Sequence, residues 1–229
     1  MKTKISIILI FLLSFQFAIS QNDCNMFYPL NEGTKFQITT YNKSNNPTSV
    51  LDYQVLDIKS TAAGKVATIK GSAKDKDDDV LTELQYQVTC KGNKLSIDFE
   101  SLLSPQLMEQ FKEMDYEITG TNLDWPNDLS VGQTLPDSNM NMKISMGGMN
   151  MNMVLTVKDR KVTGKEKITT PAGTFDCFVI AYDTNVEMMG TSHKSSSKQW
   201  IAEGVGLVKQ EDTQKGKVEN TSLLTAFSR

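Results

Sequence analysis

Six of the twelve methionines in this sequence fall between Met140 and Met153, within NMNMKISMGGMNMNMVLTV (Asn139–Val157). A thioether is a soft donor, so a methionine cluster can hold Cu(I). It can equally line a surface that adapts to an irregular apolar shape. Spacing bears on the choice. Gly147-Gly148 suits a two-residue turn, which needs positive φ at both positions. Counting outward pairs Met146 with Met149, Ile144 with Met151, Met142 with Met153, and Met140 with Leu155. Side chains alternate along a strand, so all eight share one face. Asn141, Lys143, Ser145, Asn150, Asn152 and Thr156 take the other. Packing in an amphipathic hairpin therefore accounts for the methionines. No histidine or cysteine stands near them in sequence to complete a copper site, so no metal and no cofactor is expected. A fixed strand core favours β-branched residues. Methionine in their place suits either an ordinary core or the wall of an apolar ligand cavity.

Other reactive groups form no recognisable set. KDKDDDVLTE puts Asp75, Asp77 and Asp79 at the first, third and fifth positions of a calcium loop. Val80 then stands where glycine is required, and Tyr86 where glutamate is required. A solvated turn is the expectation. His193 is the single histidine, so a histidine-based zinc site or a triad could be built only around it. Cys177 as a nucleophile would need His193 beside it. No glycine-rich phosphate loop is present. Catalysis normally needs an acid–base or metal set, so the expectation is a non-enzymatic protein.

Met1–Lys4 carries two lysines, Ile5–Phe17 is almost wholly apolar, and Ala18-Ile19-Ser20 ends in small residues. This is the pattern of a signal peptide, residues 1–20, cleaved after Ser20. Gln21-Asn22-Asp23 before Cys24 does not suit a lipoprotein signal. No second apolar segment follows, so the mature chain, residues 21–229, has no transmembrane helix. Loss of Lys2 and Lys4 leaves 22 basic against 27 acidic residues, a net charge of −5. That balance argues against nucleic acid as a partner. The localisation expected is periplasmic or secreted. An oxidising compartment allows one bridge among three cysteines, with three possible pairings. Cys24–Cys90 is favoured because it would tether the mature N-terminus, leaving Cys177 buried and free.

The elements that must carry these residues read as strands almost throughout. TKFQITTY, SVLDYQVLDIKS, KVATIKGS, VLTELQYQVTC and KLSIDF succeed one another with turn signals between them, as in a meander. Val80, Leu84, Tyr86, Val88 and Cys90 share one face, as do Phe175, Cys177 and Val179. Ser104 can cap one helix, with Pro105 at its first position and Leu107, Phe111 and Met114 at helical spacing. Such a helix would cover the apolar face of a sheet. Beyond Trp125-Pro126, Pro171 and Gly173 fit a tight turn, and Gly204 and Gly206 bend the chain after Trp200. One antiparallel β domain is the expectation for residues 21–229.

TTPAGTFDC (Thr169–Cys177), WIAEGVGLVKQE (Trp200–Glu211), LPD (Leu135–Asp137) and DRKVTGKE (Asp159–Glu166) resemble the TapB-like exported bacterial proteins. The likeness is good from Trp125 to Phe227. That family is in turn similar to the LolA-like fold, a curved antiparallel half-barrel closed on its concave face by helices. In its best-understood members the cavity carries lipid or lipoprotein acyl chains. The resemblance implies a mainly β half-barrel with a greasy interior, although only one covering helix is legible here. Two functions follow. The first is an exported binding protein carrying a lipid or other apolar small molecule. Its ligand wall would be Met140, Met142, Ile144, Met146, Met149, Met151, Met153 and Leu155, with Leu107 and Phe111 from the helix. The alternative is a structural or interaction component of the bacterial envelope, with a closed core and another envelope protein as partner.

Overall fold

The computed structural model describes residues 27–62, 64–75, 77, 79–92, 94–97, 115–146 and 149–229. Thirteen strands carry almost all of them: β1 (Lys35–Asn42), β2 (Pro47–Thr61), β3 (Gly64–Lys74), β4 (Val80–Lys91), β5 (Lys94–Ile97), β6 (Asp115–Thr121), β7 (Leu123–Pro126), β8 (Ser138–Met146), β9 (Met149–Thr170), β10 (Gly173–Met188), β11 (Thr191–Ala202), β12 (Gly206–Gln214) and β13 (Lys217–Ser228). No helix occurs among the described residues. The helix expected around Leu107, Phe111 and Met114 lies outside them. No described helix is long and apolar enough to cross a membrane.

All thirteen strands join one sheet in the order β6-β8-β9-β10-β11-β12-β13-β1-β2-β3-β4-β5-β7. Every ladder is antiparallel. The two end strands, β6 and β7, are neighbours in the chain, separated only by Asn122. The sheet thus curls into a nearly closed barrel. Bulges on β1/β13, β9/β10, β11/β12 and β2/β3 add local twist, which this curl requires.

Local chemistry explains the reversals. Pro171 and Ala172 form the two-residue turn from β9 to β10, with Gly173 at φ 137° closing it. Lys215-Gly216, at φ 50° and 76°, joins β12 to β13, the conformation a tight hairpin favours. Gly204 and Gly206, both with positive φ, flank Val205 between β11 and β12. A Cβ on Gly206 would lie 3.2 Å from Pro29, so the N-terminal segment also needs a glycine there.

Three apolar clusters hold the sheet. Val55, Ile69, Tyr86, Val88, Cys90, Leu95 and Ile97 form the first, across β2–β5. Ile38, Cys177, Val179, Trp200, Val208 and Leu224 lead the second, and Trp200 donates its indole N–H to Glu166 at 2.8 Å. Phe27, Leu135, Val162, Ile180 and Ile201 form the third. Val80 departs from the strand-face expectation. It is 57% exposed because a bulge at its pairing with Lys74 breaks the register at the start of β4.

One buried cation ties the ends of the sheet together. Arg160 of β9 is 1% exposed. Its Nη1 donates to the carbonyl oxygens of Asp124 at 2.9 Å and Pro136 at 2.7 Å. Its guanidinium also lies 4.8 Å from the centre of the Trp125 ring. Asp124 and Trp125 belong to the end strand β7, so this side chain spans the seam of the barrel.

Candidate functional site

The methionine hairpin pairs in the register that a two-residue turn at Gly147-Gly148 predicts: Met146 with Met149, Ile144 with Met151, Met142 with Met153, and Met140 with Leu155. The two glycines themselves lie outside the described residues. On one side β6 extends the face, placing Tyr116 against Ile144 and Ile118 against Met142. On the other, β10 places Val186 against Leu155 and Met188 against Met153. Directly paired residues share a face, so Met142, Met153 and Met188 form a row across three strands.

Burial along this face is graded. Met140, Met142 and Ile144 are buried. Met142 and Ile144 pack with Tyr116, Ile118 and Met153 in a small cluster of their own, separate from the three that hold the barrel. Met153 and Leu155 are half-buried, and Met151 is 39% exposed. The polar face is also as expected, with Lys143, Ser145, Asn150 and Asn152 exposed. Ser145 donates to Asn150 Oδ1 across the hairpin at 2.8 Å.

Sequence reading missed Met188 and Met189, because no element is assigned to the stretch between the strand through Val179 and the segment holding His193. In the structure Met189-Gly190 is the tight turn joining β10 to β11, at φ 49° and 78°. Met188 is 51% and Met189 74% exposed. With Met151 they line one cavity of about 320 Å3 at the tips of the two hairpins. The signal that could have found this turn is the glycine two residues past the apolar alternation of Val186 and Met188.

The remaining candidates resolve simply. Cys177 is buried and free. It pairs across the ladder with Ala202, whereas His193 pairs with Val186, nine residues further along β10. At strand rise that is about 30 Å, so the two never meet. Burial and the nearby carboxylates of Asp176 and Glu166 push the Cys177 thiol up to about 11, which keeps it protonated and inert at neutral pH. His193 instead lies in an open polar concavity of about 1180 Å3 with Asp183, Asn185, Lys194 and Ser196. The acidic turn is self-satisfied: Asp75 Oδ1 accepts from the backbone N–H groups of Asp77 and Asp79 at 2.9 and 3.0 Å. No group of three histidine, cysteine, aspartate or glutamate side chains among the described residues could hold a metal.

The N-terminal segment closes on an aromatic cluster. Tyr53 stacks on Phe36 at 4.8 Å and meets Tyr86 edge-on at 6.4 Å. The Tyr28 and Tyr86 hydroxyls share a 2.6 Å hydrogen bond. Burial raises both phenols above the ordinary tyrosine range. A Cβ on Gly71 would lie 2.9 Å from Leu84 and 3.2 Å from Tyr53, so glycine is what lets these rings pack.

A family model matches residues 31–224, from the entry to β1 through most of β13. The chain belongs to the DUF3108-like family. Two solved structures share the fold. One is described as a candidate exported protein with a YmcC-like fold from Bacteroides fragilis. It is 20% identical, covers 89% of this chain and 99% of its own, and has a TM-score of 0.70. The other is described as a candidate lipoprotein from Parabacteroides distasonis. It is 24% identical, covers 90% of this chain and 100% of its own, and also has a TM-score of 0.70. At these identities the likeness establishes architecture. No curated protein matches the sequence.

Proposed function

We propose that this DUF3108-like protein is exported and binds an apolar ligand, such as an acyl chain, against the methionine face of β6, β8 and β9. One observation carries the reading. That face forms an apolar cluster apart from the clusters that build the barrel, and it grades from the buried Met142 to the exposed Met151. A surface needed only for stability would close over. A graded, unbranched, polarisable surface suits a variable apolar shape. The LolA-like reading of the curved sheet belongs to this proposal, with Leu107 and Phe111 completing the wall.

Export rests on the leader at residues 1–20 and on the exported or lipoprotein descriptions of the two structural relatives. Among the described residues the one histidine lies far from Cys177. The alternative, an envelope interaction protein, is favoured by Val80 and Leu81, which are 57% and 65% exposed beside one another at the start of β4.

A fluorescent fatty acid titrated into the purified protein separates the two. Saturable binding is expected, and Met153→Asp, a half-buried position, is expected to weaken it at least tenfold with an unchanged circular dichroism spectrum. If uptake is absent, or survives Met153→Asp in a folded variant, the methionine face is not the wall. Leu81→Asp is then the variant to test against envelope partners.

A further inference from the structure

The geometry points to a fatty-acid carboxylate as the head group held at the inner end of the methionine face, by Nη2 of Arg160 and Oγ of Ser138. This rests on the apolar-ligand reading and deepens it, since it names the ligand class as a long-chain monocarboxylate. The methionine rows account for a tail. What the wall meets at its deep end follows from the register.

Three observations converge. First, the face continues inward. Ser138 stands two residues before Met140 on β8 and pairs with Val157, which pairs in turn with Thr184. Further along β10, Tyr182 lies opposite the bulge that holds Arg160, between the pairs Asp183–Lys158 and Ala181–Lys161. Side chains alternate along a strand, so Ser138, Thr184 and Tyr182 extend the rows of Met140, Val186 and Met188. Arg160 is on the same side, two residues before Val162, which pairs with Ile180; its guanidinium and the Tyr182 hydroxyl interact electrostatically. Second, Ser138 and Arg160 are each 1% exposed, yet neither Ser138 Oγ nor Arg160 Nη2 has a hydrogen-bond partner. A buried polar atom left unpaired is unfavourable and calls for an explanation. Two of them at the end of one apolar wall mark the place of a polar partner. Third, the length fits. Ser138 lies six residues from Ile144, which pairs with the exposed Met151. At strand rise that is about 20 Å, the reach of an extended long acyl chain.

The donor set selects the head group. Nη1 of Arg160 is occupied by the carbonyls of Asp124 and Pro136, so Nη2 offers two N–H donors and Ser138 one O–H. Donors carrying a single positive charge match a carboxylate. The carboxylates that face Arg160 are those of Asp124 and Asp137, and both are engaged elsewhere. Asp124 accepts from Lys94 at 2.6 Å and from Ser96 at 2.7 Å, and Asp137 accepts from the Asp159 backbone N–H at 3.0 Å. They leave Nη2 unpaired while lending the region negative charge, which disfavours a dianionic phosphate against a monocarboxylate. The seam is the way in. Among the described residues β7 ladders only with β5, and β6 only with β8, and Arg160 lies beneath Trp125 of β7. Parting β7 from β8 uncovers the head position without breaking a ladder.

The test is displacement of the fluorescent fatty acid from the purified protein at neutral pH, by palmitate and separately by hexadecanol, which has the same chain length without the charge. Palmitate is expected to displace the probe at a concentration at least tenfold lower. Arg160→Met keeps most of the side-chain volume and is expected to abolish that preference. Ser138→Ala removes one oxygen and is expected to reduce it at least threefold; this variant carries the test if Arg160→Met fails to fold. Equal displacement by the acid and the alcohol would overturn the inference and leave the apolar-ligand reading standing, the two buried donors then being met by water. A preference for palmitate unchanged in every variant that folds would overturn it too. Absence of any probe uptake by the unaltered protein would sink both readings.

Discussion

Replacing Arg160 with alanine is expected to destabilise the protein by about 3 kcal/mol or more, because two charge-assisted hydrogen bonds are lost and a large buried cavity is left. The partners are the backbone carbonyls of Asp124 and Pro136, which would lose this donor. For a chain of this size that corresponds to a fall in Tm of about 6–12 °C. Arg160→Met separates the contributions. It restores most of the volume without the charge, so its loss should be about half as large, reflecting mainly the lost hydrogen bonds. Arg160 is itself under tension: burial lowers its pKa despite the nearby Asp124 and Asp137, and its Nη2 finds no hydrogen-bond partner among the described residues. A buried cation tolerated at that cost has a structural task, which is to hold β7 against β9 where the sheet order ends. Thermal unfolding of the two variants checks it. An alanine variant as stable as the parent would mean that the seam is held by other contacts.

The second large effect concerns the N-terminus. A Cys24–Cys90 disulfide is proposed, and the aromatic cluster supports it. The Tyr28 and Tyr86 hydroxyls are in contact. Cys24 lies four residues before Tyr28, and Cys90 four residues after Tyr86. Cys24 lies outside the described residues, and the equal offsets from the tyrosine contact are what motivate the proposed pairing. Cys177, buried in another cluster and free, is left out of the pairing. Closing a loop of this length stabilises by about 4 kcal/mol in the chain-entropy model. The purified protein should therefore have an intact mass lower than the sum of its residues by two hydrogens, with one thiol reactive after denaturation. Double substitution of Cys24 and Cys90 by serine should lower the stability by about 2–4 kcal/mol. Three reactive thiols would contradict the pairing. An acylated Cys24 at the mature terminus would contradict both the bridge and cleavage after Ser20.

Much of this was legible from residue types and spacing. Strict alternation in NMNMKISM and MNMNMVL, with two glycines between, specifies both a hairpin and its register, because a one-residue slip would turn every methionine to the wrong face. The strands β1 to β5 were equally plain, since each alternates and ends at a recognisable turn. Legibility failed where tertiary context overrides the local pattern. Arg160 sits in DRKVTGKE, where local sequence gives no sign that a cation is buried; a bulge near Asp159, at φ 56°, and closure of the sheet bury it. Met188 and Met189 failed for the opposite reason. A glycine in the second turn position was visible, but methionine in the first is a residue that turn chemistry disfavours. Val80 illustrates the limit of face counting, since one bulge at Lys74 is enough to expose it. The closure of thirteen strands into one sheet was beyond periodicity altogether, because alternation does not report which strands are neighbours.

Native mass spectrometry of the protein purified from a bacterial envelope tests the central claim most directly. The account predicts an adduct of several hundred daltons that extracts into organic solvent, present on the parent and depleted on Met153→Asp. A bare polypeptide mass on the parent, under conditions that keep a known acyl-chain carrier loaded, would contradict it.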